Sequence, residues 1–80
     1  MLSKLNDGNK IVGTKQVKRA VLNGDVDIVF IAKDAENKVT RDIEKLCNEK
    51  SVDIIYVNTM KELGNACGIE VSAASAALLK

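Results

Sequence analysis

Ile28-Val29-Phe30-Ile31-Ala32 is the stretch on which the fold turns. Five apolar residues, mostly β-branched or aromatic, follow one another without a break. A strand covered on both faces reads this way, whereas a strand with one wet face alternates. Ile54-Ile55-Tyr56-Val57 repeats the pattern one element later. Between the two runs, Val39, Ile43, Leu46 and Cys47 recur at helical spacing, which predicts a helix over about 38–50.

Working towards the N-terminus, Val17, Ala20 and Val21 stand at i, i+3 and i+4, with Thr14 before them as an expected N-cap and Gly24 after them as a stop. Residues 14–23 therefore read as a helix whose first turn carries Lys15 and Gln16. Ile11-Val12-Gly13 reads as a short strand, and the polar start from Leu2 to Asn9 as a short helix. On the other side, Thr59 and Glu62 form a Thr-x-x-Glu capping box; Met60, Leu63 and Cys67 line one helix face, and Gly68 stops it. The last segment, Val71 to Leu79, has two readings. Its alanines favour a helix, its place after two strand-helix units favours a strand, and periodicity leaves both open. The alternation of strand and helix implies a single α/β domain over 1–80, a mainly parallel sheet with helices on both faces.

Composition narrows the chemistry. With 80 residues, 46% of them hydrophobic and none proline, the chain is one small globular domain. No apolar run reaches the ~18 residues of a bilayer span, and the first ten residues are too polar for a signal peptide, so a cytoplasmic protein with no membrane partner is expected. Cys47 and Cys67 lie twenty residues apart, outside any Cys-x-x-Cys pair and without a histidine in the chain. That pattern supplies no zinc ligand set and reads as two small buried hydrophobes. No histidine base and no glycine-rich phosphate loop is present, so neither an enzyme nor a bound cofactor or metal is expected. The net charge of +1 is unevenly spread: residues 1–20 hold Lys4, Lys10, Lys15, Lys18 and Arg19 against Asp7 alone, and the rest is net acidic. A basic end on a near-neutral body fits local phosphate contact.

Two segments carry candidate contact groups. Gly13 lets another backbone approach because it has no Cβ, and the first-turn amides behind it favour anions. Lys15, Lys18 and Arg19 add donors, while Gln16 offers both a donor and an acceptor for a base edge. The second segment is the turn after Gly68, where Ile69 and Val71 flank Glu70. They read either as exposed contacts or as core residues entering the last element. The only aromatics, Phe30 and Tyr56, fall inside predicted core strands, so a sheet on which bases stack is excluded.

These segments together resemble the kink-turn RNA-binding family of ribosomal proteins L7Ae and L30e, especially its small bacterial members. The family's Gly-Ala/Thr-Asn/Lys-Glu/Gln motif, followed by Lys/Arg, is matched by Gly13-Thr14-Lys15-Gln16-Val17-Lys18-Arg19. Its Leu-Gly-x-Ala-x-Gly-Ile/Val motif is matched by Leu63-Gly64-Asn65-Ala66-Cys67-Gly68-Ile69, and its post-strand loop by Ile31-Ala32-Lys33-Asp34-Ala35-Glu36. The resemblance implies a three-layer α/β/α sandwich on a four-stranded mixed, mainly parallel sheet, with Val71 to Leu79 as a strand. It implies that Gly13 and Thr14 belong to the RNA-contact set, that Lys15 and Gln16 meet the tandem sheared G·A pairs and that Lys18 and Arg19 touch phosphates. It places Lys33 in the RNA-contact set, sets Glu36 near the base flipped from the bulge and makes Ile69-Glu70-Val71 its cover. The implied partner is a structured RNA (ribosomal RNA, riboswitch or another non-coding RNA) bound by a monomer in a ribonucleoprotein. The sequence departs from archaeal and eukaryotic members, which have Asn-Glu at Lys15-Gln16; Lys15 donates but does not accept, so readout there is more electrostatic. A second reading keeps the fold without RNA, as a protein-interaction module docking through Ile69 and Val71.

Overall fold

A computed structural model describes residues 9–69 and 71–80; the helix expected over Leu2 to Asn9 lies almost wholly outside them, as does Glu70. The elements run β1 (Lys10–Val12), α1 (Thr14–Asn23), β2 (Val26–Ala32), α2 (Asn37–Lys50), β3 (Asp53–Val57), α3 (Met60–Ala66) and β4 (Ser75–Leu79). They form a three-layer sandwich on a mixed four-stranded sheet ordered β1-β4-β2-β3.

β2 is covered on both faces, as its composition demands. Val29 and Ile31 face one side and pack with Val17 and Val21 of α1 and Ile43 and Cys47 of α2. Ile28, Phe30 and Ala32 face the other side, against Leu63 of α3 and Cys67 at its C-cap. Both cysteines are free and buried, and they sit in these two opposite cores, separated by the sheet. Among the described residues no helix is long and apolar enough to cross a membrane.

The sheet is less parallel than the alternation of elements implies. β2 and β3 are parallel, but β4 runs antiparallel to both β2 and β1. The cause lies in α3. It has seven residues, about 10 Å of helix, and the chain after it doubles back along its side. Ile69 N–H donates to Gly64 O (3.1 Å) and Ala73 N–H to Met60 O (3.0 Å). The chain thus re-enters the sheet at the end where it left, which also shortens the last strand to Ser75–Leu79 and leaves 71–74 as loop. Buried Ala76 and Ala77 let this central strand lie close beneath the helices.

Burial alters the thiols. Desolvation, with the Glu44 carboxylate adding to it, pushes Cys47 from 9.0 up to about 11. Burial likewise raises Cys67, and a hydrogen bond to Glu44 raises Tyr56. Each group keeps its proton longer folded than unfolded, so each contributes stability that is present below the unfolded value and lost as pH rises. Thermal melts are expected to show stability falling between pH 9 and about 11. The slope should be shallower in Cys47→Ala; an unchanged slope would exclude Cys47 as its source.

Candidate nucleic-acid interface

The face that gathers the candidate residues is the end of the sheet where β2 and β3 finish. The three helices of the described residues start there, since each follows a strand running towards it. Open α/β sheets place ligands at such ends.

α1 begins in an unusual way. Gly13 is its N-cap, with φ 109° and ψ 141°. Thr14, expected to cap, is instead the first helical residue, because the turn at Gly13 takes the cap position and Val17 N–H donates to Gly13 O (3.0 Å). The amides of Thr14, Lys15 and Gln16 therefore precede the first intrahelical bond. No side chain caps the helix, and its first turn holds no acid. The Thr14 hydroxyl turns to Ser75, 3.4 Å away and fully buried, while Gly13 N–H donates to Ser75 O at 3.0 Å.

Beyond this turn, Lys15, Gln16 and Arg19 are exposed and Val17 is buried beneath them. Lys18 is half-buried and pairs with Asp42 of α2 at 3.2 Å. The pair is solvent-accessible, so it constrains Lys18 only weakly. Thr14, Lys15, Lys18, Arg19 and Leu22 line an open groove of about 690 Å³ against Lys38 and Val39 of α2. Four cations thus rim one groove, and α2, like α1, has no acid in its first turn and no side-chain cap.

The second segment is the short loop between β2 and α2. Ala35 is buried, while Lys33, Asp34 and Glu36 are exposed around it. Glu36 is the N-cap of α2 by backbone only: its carbonyl accepts from Val39 and Thr40, and its carboxylate makes no capping bond. The loop is pinned by Lys33 N–H to Val57 O (2.8 Å), and Asp34 Oδ1 accepts from Met60 N–H (2.8 Å).

The third segment splits its two aliphatics. Ile69 is half-buried and packs on the core under α3, whereas Val71 is 69% exposed. Ile69 anchors the loop and Val71 is presented by it. Glu70, between them, lies outside the described residues. Ala32 N–H donates to Ala74 O (2.9 Å), so this loop runs beside the second segment; through Ser75 it also meets the start of α1. Stretches some sixty residues apart in sequence thus share one exposed face.

Some contributors escape a sequence reading. Lys38 and Val39 join the groove only through the packing of α2 on α1. Asp34 reads as an ordinary loop acid, and nothing local announces its bond to α3. Gly64 did carry a signal, since a glycine inside a helix costs about 1 kcal/mol against alanine and usually has a packing reason.

The family model described as "Ribosomal protein L7Ae/L30e/S12e/Gadd45 family" matches residues 2–80. An RNA-binding protein of Caldanaerobacter subterraneus subsp. tengcongensis is 54% identical over 68 residues, covering 85% of this chain and 83% of that one. The large ribosomal subunit protein eL8 of Halobacterium salinarum is 38% identical over 68 residues, 84% of this chain and 57% of its own. Among solved structures, the Giardia lamblia 15.5kD RNA binding protein superposes with a TM-score of 0.93 over 99% of this chain and 70% of that one; at 24% identity the likeness speaks for the fold.

Proposed function

We propose that this chain, which belongs to the ribosomal protein L7Ae/L30e/S12e/Gadd45 family, is an RNA-binding protein of the cytoplasm that grips kink-turns as a monomer within a ribonucleoprotein. One observation carries the reading: an uncapped, acid-free helix start is joined through Ser75 to the loop that exposes Val71. The names of its relatives, an RNA-binding protein and a large-subunit ribosomal protein, support the same class of ligand.

The physics of the ligand suits this face. The major groove of regular A-form RNA is too deep and narrow for side chains to read, and a sharp kink opens it. The start of α1 then enters. Its free amides and Lys15 face acceptors, and Gln16 pairs with a base edge of the sheared G·A pairs. Lys18 and Arg19 hold phosphates, and Lys18 exchanges Asp42 for the stronger anion. The flipped base lies between Glu36 and Val71, with Lys33 at its edge. Such a protein need not bend the RNA by force; it binds the kinked conformer and shifts the population towards it.

Titration of a labelled kink-turn and of an unkinked duplex of equal length tests this. The kinked RNA is expected to bind more tightly, and Gln16→Ala to weaken that binding by about 1–3 kcal/mol, the scale of a good base contact. Equal affinities for the two RNAs would overturn the proposal.

A further inference from the structure

We propose that Asp34 is a positioning residue for RNA binding, fixing the Lys33–Glu36 loop relative to the Val71 loop through the first residue of α3; the inference rests on the reading above. Met60 is the joint. Its N–H donates to Asp34 Oδ1 at 2.8 Å, and its carbonyl accepts from Ala73 N–H at 3.0 Å. One residue is thereby bonded to both loops that flank the proposed site of the flipped base.

α3 does not need Asp34 in order to start. Thr59 Oγ1 already accepts from Glu62 N–H at 3.0 Å, and Glu62 supplies an acid in the first turn. The Asp34 carboxylate is exposed on the face proposed to receive a polyanion. A carboxylate there repels phosphate within a Debye length of about 8 Å at physiological salt. That is an electrostatic cost to RNA binding, set against the placing of two loops.

The opposing terms make the test sharp, because charge and position predict opposite signs. If Asp34 acts only as a surface charge, Asp34→Ala and Asp34→Asn both tighten RNA binding. If it positions the loops, the oxygen acceptor matters. Asn keeps that acceptor at the same reach, Ala removes it, and Gln moves it outward by one methylene. Each variant is titrated with the kink-turn and with the unkinked duplex at one ionic strength, after a melt shows it folded.

Asp34→Asn is expected to stay within about twofold of wild type on the kinked RNA, and Asp34→Ala and Asp34→Gln to bind it roughly five- to tenfold more weakly, the scale of one lost ordinary hydrogen bond. Duplex binding is expected to hold or tighten, so the ratio of the two affinities falls, which a general loss of folded protein does not produce. Should Asp34→Ala unfold, the comparison of Asn with Gln decides. Wild-type or tighter kink-turn binding by Asp34→Ala or Asp34→Gln overturns the inference, as does Asp34→Asn binding as weakly as they do. A wild-type protein that binds both RNAs alike overturns the underlying reading and this inference with it, a result distinct from the others.

Discussion

Gly64→Ala is expected to cost more in RNA affinity than in stability. A Cβ at this position would lie 2.1 Å from Val71 O, 3.1 Å from Val71 C and 3.2 Å from Ser72 Cα. All three are backbone atoms, so no side-chain rotation relieves the clash and the loop itself has to move. Overpacking of this kind costs about 1–3 kcal/mol, while alanine regains about 1 kcal/mol of helix propensity over glycine. The net loss is about 0–2 kcal/mol, and each kcal/mol lowers the melting temperature of a domain this size by roughly 4–8 °C. The displaced segment, however, carries Val71, the loop's exposed aliphatic and its proposed RNA contact. Shifting it by an ångström removes that contact and the register with Glu36, an expected loss of about ten- to a hundredfold in kink-turn affinity. Calorimetric melts and the RNA titration, made on the same preparation, measure the two effects separately. Wild-type affinity in this variant would show that the Val71 loop does not take part.

The fold was legible at the central strand, where burial alone decides the pattern, but not at Tyr56, which reads as core and is 48% exposed on the edge strand β3. Ile28 to Ala32 had to be covered on both sides, and Ile43 and Cys47 had to face a sheet, so the alternation of layers followed. The direction of β4 was not legible, because it depends on how a short α3 and the loop after it fold back, through bonds from Ala73 to Met60 and from Ile69 to Gly64. Small residues such as Ala76 and Ala77 have too weak a periodic signal to distinguish strand from helix. At the candidate site, Gly13 to Arg19 stood out through residue type. Its neighbours did not, since Asp34, Lys38 and Ser75 matter here only through contacts far along the chain. The clue at Gly64 was a local anomaly, a poor helix former inside a helix, whose explanation is tertiary.

Gly13→Ala is the complementary case, in which conformation rather than space is at stake. Among the described residues nothing lies within 4 Å of a Cβ built there, so the substitution meets none of them. Its φ of 109° with ψ 141° belongs instead to a region essentially reserved for glycine. An alanine held there costs about 1–3 kcal/mol, and relief requires a rotation that swings the first turn of α1. That turn is joined to β4 by the bond from Gly13 N–H to Ser75 O and by the Thr14 and Ser75 hydroxyls. The expected result is a lower melting temperature together with a kink-turn affinity reduced by at least about tenfold, since the amides and Gln16 lose their placement. Gly24 provides the control. It too has a positive φ, 77°, with nothing within 4 Å of an added Cβ, but it lies at the far end of α1 from the proposed RNA face. Gly24→Ala is therefore expected to cost about 1–2 kcal/mol of stability and to leave the RNA affinity of the folded protein unchanged. If both variants lost affinity in proportion to their melting temperatures, the geometry at Gly13 would be serving the fold alone. A loss confined to Gly13→Ala would tie that positive-φ turn to RNA recognition.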